Sequence, residues 1–317
     1  MADTASSIPE SSASGIPESA APTSGPLFSR VVIFGVGLLG GSLGKAIIDQ
    51  QLASEVIGTT RNKASIEDAK RLDLITSGTT DMAEALAGAD LVVLCTPVLK
   101  ICELLPQIIA AADPGCIVTD VGSTKRRIVE IGDAATAAQG GVVHFVGGHP
   151  MAGSEQSGMK YARADLFKSR SVYLTPTKNT NQQAVGRLSA LWRALECRLL
   201  LCRPERHDDI VSLTSHLPFL GATALVQTMA STHEDRNLLG SAIAGGFRDS
   251  TRVAAGNSEM WRDILTTNLD QVLSRAQALQ ASLTEIIHQL ELAQQNPESL
   301  KAFLADQSRY RSWFDEA

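Results

Sequence analysis

Gly35-Val36-Gly37-Leu38-Leu39-Gly40 follows directly on the apolar run Val31-Val32-Ile33-Phe34 and opens a helix-like segment, Gly41 to Asp49. A strand that ends in glycines at this spacing and turns straight into a helix constrains the fold more than any other feature of the chain. The first glycine makes a tight turn, the second lets backbone approach a diphosphate, and the third lets the helix pack on the strand. The start of the helix then offers N–H groups that have no partner within the helix. Gly35, Gly37, Leu38, Leu39 and Gly40 are therefore expected to hold a dinucleotide.

Further short apolar runs follow at 55–58, 91–95, 116–119, 144–146 and 171–174, and most are separated by stretches rich in Ala, Leu and charge. Alternating strands and helices imply a parallel sheet covered on both faces. Leu91-Val92-Val93-Leu94-Cys95 is apolar at consecutive positions, as a strand buried on both faces requires. After about residue 204 the strand signals stop. The expected fold is α/β: a Rossmann-like, doubly wound parallel sheet at 29–203, then an all-α domain at 204–317. Within the latter, Leu269, Val272, Ala276, Leu279, Leu283, Ile286 and Leu290 repeat at spacings of three and four, an apolar seam along one helix. Such a seam packs either inside one subunit or against a second chain.

Residues 1–28 are Ser-, Ala- and Pro-rich, lack Lys and Arg, and repeat Ile-Pro-Glu-Ser at 8–11 and 16–19. They cannot bury enough apolar surface to offset their ordering entropy, so a disordered tail is expected. It has neither the cationic start nor the apolar core of a secretory signal. A net charge of −6 gives no basic field for nucleic acid. No apolar run approaches the roughly 20 residues of a membrane span. The five cysteines lack any C-x-x-C spacing. They read as reduced thiols of a cytoplasmic protein, not as bridges or metal ligands.

The end of the second apolar run reads Gly58-Thr59-Thr60-Arg61-Asn62-Lys63. NAD binders usually carry an acidic residue near Thr60 for the ribose hydroxyls, and none is present. Arg61, with Thr60 and Lys63 beside it, suits a 2′-phosphate. NADP is expected over NAD; NAD is the alternative if Arg61 is only a solvated surface charge.

In doubly wound folds ligands sit outside the carboxyl ends of the strands. Thr96-Pro97, Asp120-Val121-Gly122-Ser123-Thr124-Lys125 and Gly147-Gly148-His149-Pro150 all follow apolar runs. Thr96 and Pro97 are expected at the cofactor. Pro150 holds His149 in extended backbone, and the glycines around it read as a loop passing close to a ligand. A hydroxyl at Ser123 and an imidazole at His149 suit removal of a hydride from a carbon bearing a hydroxyl, because the C–OH loses its proton as the hydride leaves. Arg248 and Arg252, four apart, would share a helix face, one free for a carboxylate and the other pairing with Asp249. His216 reads as a second active-site imidazole or a core histidine, and Trp261 as core or ligand wall.

Six motifs in order resemble the prephenate/arogenate dehydrogenase family, the NAD(P)-dependent enzymes of tyrosine biosynthesis. They are Gly35 to Gly40, Asp120 to Lys125, Gly148 to Glu155, Ser215-His216-Leu217-Pro218, Gly245 to Arg252 and Met260 to Ile264, and the likeness runs from residue 30 to about 314. The resemblance implies oxidative decarboxylation of prephenate, or of L-arogenate, as hydride leaves the hydroxyl-bearing ring carbon. It implies that His149 hydrogen-bonds the ring hydroxyl with Ser123 beside it. Arg252 would bind a substrate carboxylate, with Asp249 and Trp261 near it and Ser154 and Glu155 near the substrate side chain. It also implies a homodimer through the helical domain. Phe219 departs from members that carry a second histidine there, and no appended regulatory or mutase domain is expected.

Two other readings are open to the residues. A β-hydroxyacid dehydrogenase would place a catalytic lysine in the first helix of the helical domain, and His207 to Gln227 contains none. A non-catalytic dinucleotide sensor would not need His149, Ser123 and Arg252 together.

Overall fold

The computed structural model describes residues 25–153, 156–232 and 234–314. The expected tail therefore lies outside the described residues as far as residue 24. Phe28 already opens the first strand, and its ring is buried. By packing, the chain divides into two compact units. One contains the residues through Val211 together with Ala255–Asn268, and the other Ser212–Ala254 together with the residues from Leu269 onward.

The first unit is built on eight strands: β1 (Phe28–Phe34), β2 (Ala53–Thr59), β3 (Ser77–Thr79), β4 (Leu91–Leu94), β5 (Ile117–Asp120), β6 (His144–Pro150), β7 (Ser171–Thr175) and β8 (Arg198–Leu201). Their order is β3-β2-β1-β4-β5-β6-β7-β8. Strands β1 to β6 run parallel in the 3-2-1-4-5-6 order of a dinucleotide fold. The expected parallel sheet is corrected at one pair: β7 runs antiparallel to β6, with His149 opposite Tyr173, and β8 then runs parallel to β7. A chain that returns directly beside β6, without a helical crossover, must reverse direction.

The alternation of side chains explains the apolar runs. Val31, Ile33, Leu91, Val93 and Ile117 face one core with Leu43 and Ile47 of α1 (Leu38–Asp49), Ile66 of α2 (Lys63–Arg71) and Leu188 and Trp192 of α6 (Gln182–Ala194). Val32, Phe34, Val92, Leu94 and Val118 face the other, with α3 (Met82–Leu86), α4 (Val98–Ala111) and α5 (Arg126–Ala138). Each strand is thus buried on both faces, so its apolar positions are consecutive. Helix α7 (Pro204–Val211) and the later α11 (Ser258–Thr267) complete this unit.

The second unit opens with a π-helical segment, Ser212–His216, followed by α8 (Leu217–Ala230), α9 (Arg236–Ala242), α10 (Gly245–Thr251), α12 (Leu269–Leu292) and α13 (Pro297–Trp313). The expected seam lies on α12, which at 1.5 Å per residue is about 36 Å long. Val272 is buried, but Leu269, Leu283, Ile286 and Leu290 are 40–52% exposed. Most of the seam is therefore not core of its own subunit.

The helical stretch Pro204–Ala230 is long and apolar enough, by length and composition only, to cross a membrane. This corrects the expectation that no run approaches that length. Thr214, His216, Thr223 and Gln227 interrupt the stretch in sequence, while its average hydropathy stays high.

Candidate active site

The parallel strands β1, β4, β5 and β6 all end on one side of the sheet, so the turn at Gly35, Thr96, the loop at Ser123 and His149 line one end of it. Gly35 has φ +94°, a conformation that favours glycine, and its N–H donates to the Thr59 carbonyl at 3.2 Å. A Cβ on Gly40 would lie 2.1 Å from the Gly35 carbonyl oxygen and 2.9 Å from Ile33 Cγ2, so glycine there lets α1 meet β1. A Cβ on Gly37 would meet nothing within 4 Å. The backbone of Gly37 therefore faces open space, while Leu38 and Leu39 in the first turn of α1 are partly buried against the core, and no side chain caps that turn. Thr96 carries a buried hydroxyl without a hydrogen-bond partner among the described residues, and its methyl abuts Gly35. Pro97 stands exposed at the start of α4. An open glycine cradle beside a buried, unsatisfied hydroxyl fits the diphosphate of a dinucleotide.

At the end of β2, the Thr60 hydroxyl donates to the Asn62 carbonyl at 2.7 Å, and Asn62 caps α2 by accepting from Ser65 N–H. Arg61 is exposed on that turn. A polar groove of about 390 Å³ lies alongside, lined by Lys63, Thr79, Thr80, Asp81 and Glu84 among others.

The chemistry-bearing cluster is built around Asp120, at the end of β5. Its Oδ2 accepts from Gly122 N–H at 2.8 Å, its Oδ1 from Gly148 N–H at 3.1 Å, and Lys125 Nζ pairs closely with it. Both side chains of that pair are fully buried. The residue before Ser123 and the residue before His149 thus hang from one carboxylate. Gly147 and Gly148 lie in strand β6, which corrects the expectation of a loop there; Gly153 lies beyond the strand, with open space where a Cβ would stand. A Cβ on Gly147 would fall 2.5 Å from Thr175 Oγ1, and one on Gly148 2.8 Å from the Asp120 carbonyl oxygen. Both glycines let neighbouring strands approach.

His149 is 9% exposed. Its Nδ1 lies 2.8 Å from Nε2 of His207, on α7, and His207 Nδ1 lies 2.8 Å from Asp208 Oδ1. Asp208 also accepts from the Lys125 and Arg126 amides, at 2.7 and 2.9 Å. Tyr173 meets the His207 ring edge-on, 5.2 Å between centroids. Burial lowers the His207 pKa from its ordinary value, against the opposing pull of Asp208. His207 and Asp208 were missed in sequence. The only signal was an adjacent His-Asp pair at the start of a helix, and nothing local ties it to a histidine 58 residues earlier.

Trp261, half-buried on α11, belongs to the same unit as His149. His216, Asp249 and Arg252 belong to the second unit. His216 is buried in the π-helical segment, Asp249 is exposed on α10, and Arg252 is exposed at that helix's end. Ser154 and Glu155 lie outside the described residues. All five cysteines are free; burial raises Cys116 to about 12, and also raises Cys95, so neither is a ready nucleophile.

A doubly wound nucleotide unit with a buried imidazole at the same strand ends defines an NAD(P)-dependent dehydrogenase. Residues 43–201 match the nucleotide-binding domain of prephenate dehydrogenase, and residues 203–306 match its dimerization domain. The chain belongs to the prephenate dehydrogenase family. It is 34% identical to prephenate dehydrogenase of Bacillus subtilis (strain 168), over 77% of this chain and 66% of that protein. The solved structure of prephenate dehydrogenase from A. aeolicus, in complex with hydroxyphenyl propionate and NAD+, superposes with TM-score 0.82. It is 31% identical and covers 90% of this chain and 98% of its own. Synechocystis arogenate dehydrogenase is 29% identical, with TM-score 0.75, over 90% of this chain and 99% of its own.

Proposed function

We propose that this chain oxidatively decarboxylates prephenate to 4-hydroxyphenylpyruvate in tyrosine biosynthesis, or performs the same reaction on L-arogenate, in the cytoplasm and with NADP preferred over NAD. The observation that carries this reading is the buried His149, held by the Asp120 scaffold on one side and His207 on the other. A nicotinamide dinucleotide held by the Gly35–Gly40 cradle and Thr96 would supply the hydride acceptor. His149 takes the proton of the ring hydroxyl as the hydride departs from the same carbon. Ser123 supplies a second hydrogen bond at that oxygen. Loss of CO2 from the opposite carbon leaves an aromatic ring.

By resemblance to the family, Arg252 is the proposed ligand of a substrate carboxylate, through its planar fork, and Asp249, Trp261, His216, Ser154 and Glu155 are the other proposed substrate-binding residues. The test is the absorbance of the reduced nicotinamide with prephenate and with L-arogenate, each against NADP and NAD. Turnover with at least one pair is expected. Cofactor binding without turnover on either substrate would make the chain a sensor. Arg252→Gln is expected to raise KM about tenfold or more, since a charge-assisted pair is worth roughly 1.5–3 kcal/mol. An unchanged KM moves this role to Arg248 or elsewhere.

The family's dimerization region contains α12, and its exposed Leu283, Ile286 and Leu290 are the surface a second copy would cover. Each side chain buried there contributes about 1.5–3 kcal/mol. Leu283→Glu with Ile286→Glu is therefore expected to weaken a homodimer at least about a hundredfold. Sedimentation velocity reads this as monomer at concentrations where the wild type is dimeric. An unchanged dimer places the interface elsewhere.

A further inference from the structure

Asp208 is anchored from three directions. Its carboxylate takes two amide hydrogens at the start of α5, and its carbonyl accepts from Nδ2 of the fully buried Asn268 at 2.9 Å. Asn268 directly follows α11, whose last residue, Thr267, meets Thr124 hydroxyl to hydroxyl at 2.8 Å. The loop carrying Ser123, the start of α7 and the end of α11 are thus stitched into one frame.

Valence then fixes the protons. An ionised carboxylate can only accept, so Nδ1 of His207 must donate to Asp208. A neutral imidazole that donates through Nδ1 keeps its lone pair on Nε2. That lone pair faces His149 Nδ1 at 2.8 Å, so Nδ1 of His149 must carry a hydrogen and donate it. The remaining nitrogen of a neutral His149, Nε2, then holds the lone pair. Full burial of His207 favours the neutral ring that this sequence of bonds requires.

We propose that His207 and Asp208, braced by Asn268, are positioning residues that hold neutral His149 as its Nδ1–H tautomer and so make Nε2 the proton acceptor. This rests on His149 being the acceptor in the reaction proposed above. Neither residue touches substrate; both act through His149.

The experiment is long-range proton–nitrogen NMR of the full chain labelled with 15N-histidine, with the His149 signals assigned by their loss in His149→Asn. In wild type at a pH where His149 is neutral, its Nε2 should give an unprotonated signal and its Nδ1 a protonated one. In Asp208→Leu no acceptor faces His207 Nδ1, so nothing pins that ring's proton there; it moves to Nε2 and reverses the bond to His149. The His149 tautomer should invert, and kcat should fall on the order of 10–100-fold, as for outer partners of metal-bound imidazoles. KM and cofactor affinity should change far less.

His207→Gln keeps an acceptor toward His149 and should retain more kcat than His207→Leu, which keeps only bulk. A wild-type His149 protonated on Nε2, a tautomer unmoved by Asp208→Leu, or equal losses in the His207→Gln and His207→Leu variants would each overturn the proposal. The tautomer is read without substrate. The expected signals in a protein that turns over neither prephenate nor L-arogenate would therefore leave the hydrogen-bond chain standing and overturn the reaction instead.

Discussion

His149→Asn is expected to lower kcat by a factor on the order of 10² to 10⁴ while leaving cofactor affinity nearly unchanged. The variant removes the basic nitrogen proposed to take the ring hydroxyl's proton. It keeps a side-chain amide that can still hydrogen-bond His207, so the neighbouring Asp208 network keeps its partner. The glycine cradle at Gly35–Gly40 and the Thr96 hydroxyl lie on other strands and do not depend on the imidazole. Steady-state kinetics, with cofactor binding followed by fluorescence titration, separates the two quantities. A variant that turns over near the wild-type rate would show that the proton goes elsewhere. A parallel thermal melt checks that the loss is not one of folding.

The second large effect concerns cofactor choice. Thr60 stands where NAD binders keep a carboxylate, and the exposed Arg61 follows it on the turn after β2. The Thr60 hydroxyl bonds the Asn62 carbonyl, so it shapes the turn itself. Thr60→Asp with Arg61→Ala is expected to swing the NADP-to-NAD ratio of kcat/KM toward NAD by about ten- to several-hundred-fold. The new carboxylate repels a 2′-phosphate and accepts from ribose hydroxyls, and loss of Arg61 removes an attraction; each effect contributes about 1–2 kcal/mol. A wild type that already prefers NAD, or a double variant without a swing, would end this reading of residues 58–63.

The features legible in sequence share a physical property: each is carried by neighbours along the chain. The glycine spacing after β1 is local, and the steric contacts at Gly40 show why no other residue fits there. The two-sided burial of β4 is written in four consecutive apolar residues. The seam on α12 is a helical period. By contrast, β3 has three residues and a half-buried pattern, too short to leave a period. The glycines at 147 and 148 look like a loop because their function is to let Thr175 and the Asp120 backbone approach, and those partners are distant in sequence.

By itself, then, the sequence determined a dinucleotide-binding sheet followed by helices, and the family to which its motifs belong, because local spacing and periodicity carry that information. Only the tertiary structure decided the reversal at β7, the burial of the Lys125–Asp120 pair, and the bonding of His149 to His207 and Asp208. Each of these depends on which strand or helix lies next in space. A hydrogen bond across 58 residues is set by the fold's topology, which no window of sequence contains.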